Sequence, residues 1–362
     1  MEVIPGYTPP DFSRPDLRGA PAVRVVPAPA DGVLPERFHV TSNLPEYIHL
    51  GGGRWLLARE GRMDGVMVLR GDHLQIIEPR RVRQGDPVVV ARSLRGEEGL
   101  YVHADGFTTC AEAVGQEFAF RTRASRETPF SCPYDRLYDV LRHDRDHGMI
   151  LWVLGPAAVF DHDSRAAMAT LIDRGYCHAL LAGNALATHD LEAARFHTGL
   201  GQDIYTQELR PGGHSNHLDI INEVRRCGSI AAAIRELGLT DGVMVACERR
   251  KVPYVLAGSI RDDGPLPEVI TDVLRAQDAM RVHARRATTV LALATQLHAI
   301  ACGNMLPGYQ VAADGAVRPV FLFVVDMSEY GVDKLANRGS LQAVPILTNV
   351  QDFLVNLRHN LA

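Results

Sequence analysis

The chain has 362 residues, enough for two domains that each bury a core, and its 46% hydrophobic and 22% charged residues are those of an ordinary soluble globular protein. A formal net charge of -5 without a basic stripe or a nucleic-acid motif argues against nucleic acid and for a small-molecule partner. No apolar run reaches the roughly 20 residues that span a bilayer, and the N-terminus lacks the charged start and apolar stretch of a signal peptide. The six cysteines are scattered without a CxxC pair, so no metal site or disulfide framework is expected, and the expected setting is the reducing cytoplasm.

In chain order, residues 1–36 are rich in Pro, Arg and Ala without periodicity and read as an extended or partly disordered arm. Residues 37–130 carry short β-branched runs broken by Gly and Asp ("RWLLARE", "GVMVLRG", "LQIIEP", "DPVVVARS"), the texture of a small β-rich domain. Residues 131–148 have apolar positions at helical spacing and end in glycine, which predicts a linker helix. From 149 to 362, apolar runs alternate with amphipathic stretches: "MILWVLG", "HALLAGNA", "GVMVAC", "PYVLAGS", "TVLALAT", "FLFVVD" and "AVPILTNV". Each run is expected to be a strand, and the alternation predicts an α/β domain with a parallel sheet covered on both faces. Its binding crevice should lie beyond the carboxyl ends of the strands.

No strand is followed by GxGxxG, yet two turns offer related chemistry. Gly155 follows the first strand, and Gly183, Asn184 and Ala185 follow the second, so backbone N–H groups there can approach a phosphate; close helix–sheet packing explains the same residues equally well. Asp326 ends "FLFVVD", where an acid either accepts hydrogen bonds from a ribose diol or caps a helix. His214 and His217 in "PGGHSNHL" suit ligand contact or helix capping better than a metal. Cys247 closes the predicted strand "GVMVAC" at the ligand-facing edge, although most cysteines in such runs are inert core residues. "LATQLHAIACGNMLPGY" adds His298, Cys302, Gly303 and Asn304 on another strand-to-helix segment.

Taken together and in order, "LAGNALATHDLE", "PGGHSNHLDIINEVRRCGSI", "VPYVLAGSIRDDGPLPEVITDVLRAQDAM", "ATQLHAIACGNMLP" and "NRGSLQAVPILTNV" closely resemble the LOR/SDH-type domain of NAD-dependent ornithine cyclodeaminases. That family occurs in archaea and, fused to arginine dihydrolase, in cyanobacteria. The resemblance runs from about Met149 to the C-terminus and implies a Rossmann-like domain of the deoxyhypusine synthase type, preceded here by the β-rich domain. It also implies NAD as cofactor, a small amino-acid substrate, a homo-oligomer, and a cofactor site along the strand ends: Gly155, Pro156, Gly183, Asn184, Ala185, Gly258, Ser259, Thr295, Asn304 and Asp326.

The implied reaction passes a hydride from the α-carbon of ornithine to NAD, closes the ring with loss of ammonia, and returns the hydride to give proline. In "VLAGSIRDDGPLPEVITD", Asp262 and Asp263 are then candidates for the substrate's ammonium groups. Arg261 would clamp its carboxylate, or else pair internally with the acids to fix the turn. Cys247 and Lys334, the latter one of two lysines in the chain, match family positions suited to moving protons. "HVTSNLPEYIHLGGGRWL" resembles a family stretch that retains Asn43 and Pro45 as substrate-side residues, but Leu44 stands where a histidine is expected, and "PGGHSNHL" departs from "PGGHRHHL". The exact diamino acid is therefore open, with lysine, net amine oxidation, or a non-catalytic NAD or amino-acid sensor as alternatives.

Overall fold

Strands buried on both faces need apolar side chains at every position, and the C-terminal two-thirds of the chain supplies them. The computed structural model describes residues 3–107, 134–262, 264–328 and 342–362. They fall into two units: one takes the described parts of Met1–Ala119, Asn304–Phe321 and Gly339–Gln342, the other those of Phe120–Gly303, Leu322–Arg338 and Ala343–Ala362.

The first unit is β-rich. Strands β1 (Arg24–Pro27), β2 (Glu46–His49), β3 (Trp55–Leu57), β4 (Val66–Arg70), β5 (His73–Ile77), β6 (Pro87–Val90) and β7 (Leu100–Val102) form two antiparallel sheets, ordered β1-β6-β4-β5 and β3-β2-β7. Ile48, Met67, Ile76, Val89 and Leu100 bury one common cluster. The N-terminal segment departs from the arm expected of it. Residues Arg24–Pro27 pair with Pro87–Val90, and Leu17 is fully buried, because edge pairing gives the Pro-rich stretch backbone partners that its composition does not advertise. A hairpin from much later in the chain, Tyr309–Val311 with Val317–Pro319, belongs to this unit. Tyr309 is buried there and donates its hydroxyl to the Ala58 carbonyl.

The second unit holds a six-stranded sheet built from β8 (Ile150–Leu154), β9 (Ala179–Gly183), β10 (Tyr254–Ala257), β11 (Thr289–Leu293), β12 (Phe321–Asp326) and β13 (Gln342–Leu347). Their spatial order is β10-β9-β8-β11-β12-β13, and the β10/β9, β9/β8 and β8/β11 pairs are parallel. Every residue of β8 and β11 is buried. Numbered from β8, this is the doubly wound 3-2-1-4-5-6 order, with the topological switch between β8 and β11. The helices are α1 (Tyr134–His147), α2 (His162–Asp173), α3 (Asn184–Phe196), α4 (Asn216–Cys227), α5 (Val243–Arg250), α6 (Val273–Ala284), α7 (Gln296–Met305) and α8 (Val350–Leu361). Several start at side-chain caps that the sequence supplies locally. Asp161 accepts the Ser164 N–H, Asp272 the Arg275 N–H, and Asn349 the Gln351 and Asp352 N–H groups.

One apolar run has the wrong secondary structure in the sequence reading. "GVMVAC" is not a strand but the start of α5, and Cys247 lies inside that helix with 0% exposure. A run this short fits a buried strand or a buried helix equally well by periodicity. A distant residue decides the matter: Asp190 accepts the Val243 N–H at 3.0 Å and the Met244 N–H at 2.7 Å, capping a helix start that has no local side-chain cap.

Candidate functional site

The carboxyl ends of β8 and β11 are pressed together. The Gly155 N–H donates to the Leu293 carbonyl at 2.8 Å, and a Cβ on Gly155 would lie 1.9 Å from the Ala294 carbonyl oxygen and 3.2 Å from the Thr295 Cβ. Only glycine fits at this position. Ala294 itself has φ 50°, a left-handed backbone that turns the chain sharply from β11 into α7. Such strain held in place at a crevice is characteristic of functional sites.

Gly183 ends β9 as the N-cap of the 13-residue helix α3 and offers no side-chain cap, so the N–H groups of its first turn are open to a ligand. Gly155 is likewise an extended, uncapped residue before Pro156, which opens a short 3-10 turn. Asn184 has a different role from the one its position suggests. Its side chain is buried, and its Oδ1 accepts the Leu266 N–H at 3.0 Å, tying the loop after β10 to the start of α3.

That loop answers how the turn after β10 is held. Asp262 Oδ2 accepts the Ser259 N–H at 2.8 Å, and the Asp262 N–H donates to the Ser259 carbonyl at 3.1 Å, so the acid fixes the turn through Ser259 and not through Arg261. Arg261 and Ser259 are exposed. Gly258 donates to the Ile270 carbonyl at 2.9 Å.

A side chain that the sequence singled out only in company enters here. A Cβ on Gly183 would sit 2.9 Å from Cε1 of His298 and 3.6 Å from the Ala257 carbonyl oxygen. Starting from α7, which follows β11, this imidazole therefore reaches past β8 to the end of β9. Burial lowers its pKa, and the negative charge of Asp262 opposes that shift. The signal in the sequence was its position two residues into the helix after a strand, and that alone did not separate it from its neighbours.

The remaining candidates fall into three groups. His214 is exposed and His217 half-buried, the latter 6.3 Å by ring centroid from His189, which pairs through Nδ1 with the fully buried Glu192 at 2.9 Å. Glu192 also accepts the Thr198 hydroxyl at 2.8 Å, anchoring the start of the loop that carries His214 and leads into α4, where His217 lies. Asp326 spends one oxygen on the Ser328 N–H at 2.9 Å, a local turn at the end of β12. Asn43 lies in the β-rich unit, where its Oδ1 accepts the Met63 N–H at 3.2 Å, and Asn304 is grouped with that unit as well. Asp263 and Lys334 lie outside the described residues. Cys247 does not reach the crevice. Desolvation in the core pushes its thiol well above the usual range, with the nearby Cys177 adding to the shift, which is the opposite of an activated nucleophile or proton carrier.

A glycine at 155 that no Cβ could replace, an uncapped start to α3 at Gly183 and a switch in strand order fit a dinucleotide: its pyrophosphate would lie against the Gly155 and Gly183 turns, with Thr295 at the close approach of β8 and β11. Among the described residues no group of three or more His, Cys, Asp or Glu side chains is arranged to hold a metal ion. The fold and the crevice thus define a Rossmann-type domain of the nucleotide-binding class.

Comparison with known proteins narrows this class. Residues 136–357 match the arginine dihydrolase ArgZ-like, C-terminal, Rossmann-fold family. The ornithine cyclodeaminase of Methanopyrus kandleri is 41% identical over 92% of this chain and 77% of its own. A LOR/SDH protein from Methanococcus maripaludis superposes with a TM-score of 0.84 at 34% identity, over 94% of this chain and 98% of that one. AgrE, in a ternary complex with ornithine and NAD+, superposes with a TM-score of 0.57 at 31% identity, over 95% of this chain and 46% of that one. The chain belongs to the ornithine cyclodeaminase family of ArgZ-like Rossmann-fold proteins.

Proposed function

We propose that this protein is an ornithine cyclodeaminase that converts L-ornithine to L-proline and ammonia with a resident NAD. The observation that carries the reading is the 41% identity to an ornithine cyclodeaminase over 92% of the chain, which includes the glycine-lined switch point. NAD, when bound, supplies a hydride acceptor that becomes the donor later in the same turnover. The chain's own residues have the remaining tasks. The helix start at Gly183 binds the cofactor by backbone N–H groups, the absence of a side chain at Gly155 allows its close approach, and the strained Ala294 turn fixes the wall against which the α-carbon is oriented. Arg261, exposed on the turn after β10, is the cation assigned to the substrate carboxylate in this reading.

Because the hydride is returned, the reaction is redox-neutral. L-Ornithine with the purified protein and NAD should give equal proline and ammonia with no lasting reduced nicotinamide. Accumulating reduced cofactor would instead identify a net amine oxidation, and no product from ornithine while NAD remains bound would move the substrate to lysine or another diamino acid. No described helix is long and apolar enough to cross a membrane. A cytoplasmic setting and a homo-oligomeric state are part of the proposal, the latter checked by light scattering on the purified protein.

A further inference from the structure

Hydride loss from an amino acid requires a free amine at the α-carbon, because an ammonium nitrogen has no lone pair with which to stabilise the developing iminium. Ornithine enters with that nitrogen protonated, so the crevice needs a group that removes one proton before the hydride leaves. A second requirement follows from the product side. The two nitrogens of ornithine carry together as many protons as those of proline and ammonium, so the proton that is removed must be given back. The group must therefore be a shuttle near neutral pH, which favours an imidazole over a carboxylate or a buried thiol.

The geometry supplies one imidazole in this position. The left-handed turn at Ala294 sends α7 back over the switch point, and its third residue, His298, lies against the bare backbone of Gly183, with the Ala257 carbonyl of the adjacent strand beyond it. A side chain at position 183 would collide with the ring, so the glycine both opens the helix start and makes room for the imidazole. Neither ring nitrogen has a hydrogen-bond partner within the described residues. The ring is half-buried, not sealed. From the loop after β10, Asp262, whose Oδ2 is held by the Ser259 N–H, contributes a negative charge that favours the protonated ring. Its own helix, Gln296–Met305, carries no charged side chain and one other titratable group, the buried thiol of Cys302, and at the end of β9 the ring lies beside the backbone of Gly183. Among the described residues Asp262 is the charged group that acts on it.

We propose that His298 is the proton-transfer residue of the cyclodeaminase reaction and that the negative charge of Asp262 favours its protonated form; the assignment rests on the ornithine reading above. In the forward direction His298 takes a proton from the α-ammonium of ornithine. The hydride then leaves the α-carbon with its bonding pair, giving an iminium carbon and reduced nicotinamide. The δ-nitrogen, having released its own proton to solvent, forms a bond to that carbon. His298 returns its proton to the original α-nitrogen, the bond from that nitrogen to carbon breaks, and ammonia departs with the bonding pair. The ring nitrogen sheds a further proton to solvent and its lone pair completes the cyclic iminium, which the returning hydride reduces to proline. The departing ammonia and the proline nitrogen together recover the protons released to solvent, and His298 ends the cycle neutral.

The test has two arms. In the first, His298→Gln keeps a hydrogen-bonding side chain of similar length. It should bind NAD as the wild type does, while the single-turnover rate of nicotinamide reduction by ornithine falls on the order of 10²–10⁴-fold. The acidic limb of the wild-type pH profile should disappear with it, and added imidazole should restore part of the rate. A variant that keeps its rate within about threefold and retains the same acidic limb overturns the proposal. The second arm needs no substrate. The ring titration of His298, followed by NMR, should move to lower pH in Asp262→Asn, because removing the negative charge leaves only the desolvation that already lowers it, while His283 keeps its midpoint. An unmoved His298 midpoint overturns the pairing. If the wild type binds NAD yet makes nothing from ornithine, it is the substrate reading that has failed, and the titration arm still decides whether Asp262 sets the charge of His298.

Discussion

Arg165 donates its Nε–H to Asp190 at 2.7 Å with both residues almost sealed from water, Arg165 2% exposed and Asp190 not at all. The same aspartate caps α5 through two backbone N–H groups, and the guanidinium passes on to Asp241 at 2.8 Å, just before that helix begins. Helices α2, α3 and α5 are thus tied by one buried charge pair. Removing the acid leaves the buried guanidinium with only the half-exposed Asp241 as its charged partner and the helix uncapped, so Asp190→Ala should lower the stability of the protein by about 3 kcal/mol. A urea titration followed by circular dichroism checks it; a loss below about 1 kcal/mol would mean that the network relaxes around the vacancy.

Gly155→Ala tests the switch point. The new methyl meets a backbone carbonyl, which cannot rotate away, so β8 and β11 must separate at their carboxyl ends. Overpacking of this kind costs about 1–3 kcal/mol, and a loss of about 1.4 kcal/mol at the turn is a tenfold weaker Kd for NAD. Calorimetric titration with NAD alone, without substrate, reads the effect directly.

Cys247→Ala should leave turnover close to that of the wild type. The thiol is enclosed in α5, so its loss creates a small cavity and removes no reactive group. The matched measurement is kcat beside the thermal midpoint, where stability should fall by about 1 kcal/mol and kcat should not. A kcat lower by orders of magnitude with stability intact would return the thiol to the reaction.

The loop between α3 and α4, which carries His214, should respond to acid through Asp203. The Thr206 N–H, the Arg210 guanidinium and the Tyr205 N–H hold its carboxyl down to about 2. A group whose folded pKa is depressed contributes stability that is fully present above its unfolded value, about 3.9, and is lost as pH falls through the folded value. Asp203→Asn should therefore be less stable than the wild type at neutral pH, and the gap between their urea midpoints should close as pH falls from about 3.9 toward about 2. A gap that persists at the acid end would assign the effect to packing and not to charge.

The parallel strands were legible because a strand buried on both faces has no polar alternation to blur it, and β8, β9, β10, β11 and β12 stand where "MILWVLG", "HALLAGNA", "PYVLAGS", "TVLALAT" and "FLFVVD" placed them. "GVMVAC" failed for the same reason that these succeeded. Its apolar run carries no period, and the group that makes it a helix, Asp190, is more than fifty residues away in sequence. The close approach of β8 and β11 was signalled by Gly155, a residue that tight packing and ligand contact account for equally well. The imidazole beside Gly183 was not, because its placement depends on the left-handed turn at Ala294, a residue whose type gives no warning of it.

The excursion of residues 304–321 into the β-rich unit also orders events in time. Tyr309 fills the space left by Gly61 and reaches the Ala58 carbonyl, some 250 residues from strands made at the beginning of synthesis. A ribosome extends a chain at about 5–20 residues per second and domains ordinarily close in the order they emerge. Here the part that emerges first is the part completed last, so the nascent chain must carry its unfinished β-rich portion past the whole of β8 to β11 before Tyr309 arrives. Chains ending before residue 309 should expose that portion to chaperones and proteases, even where the nucleotide-binding sheet has already formed.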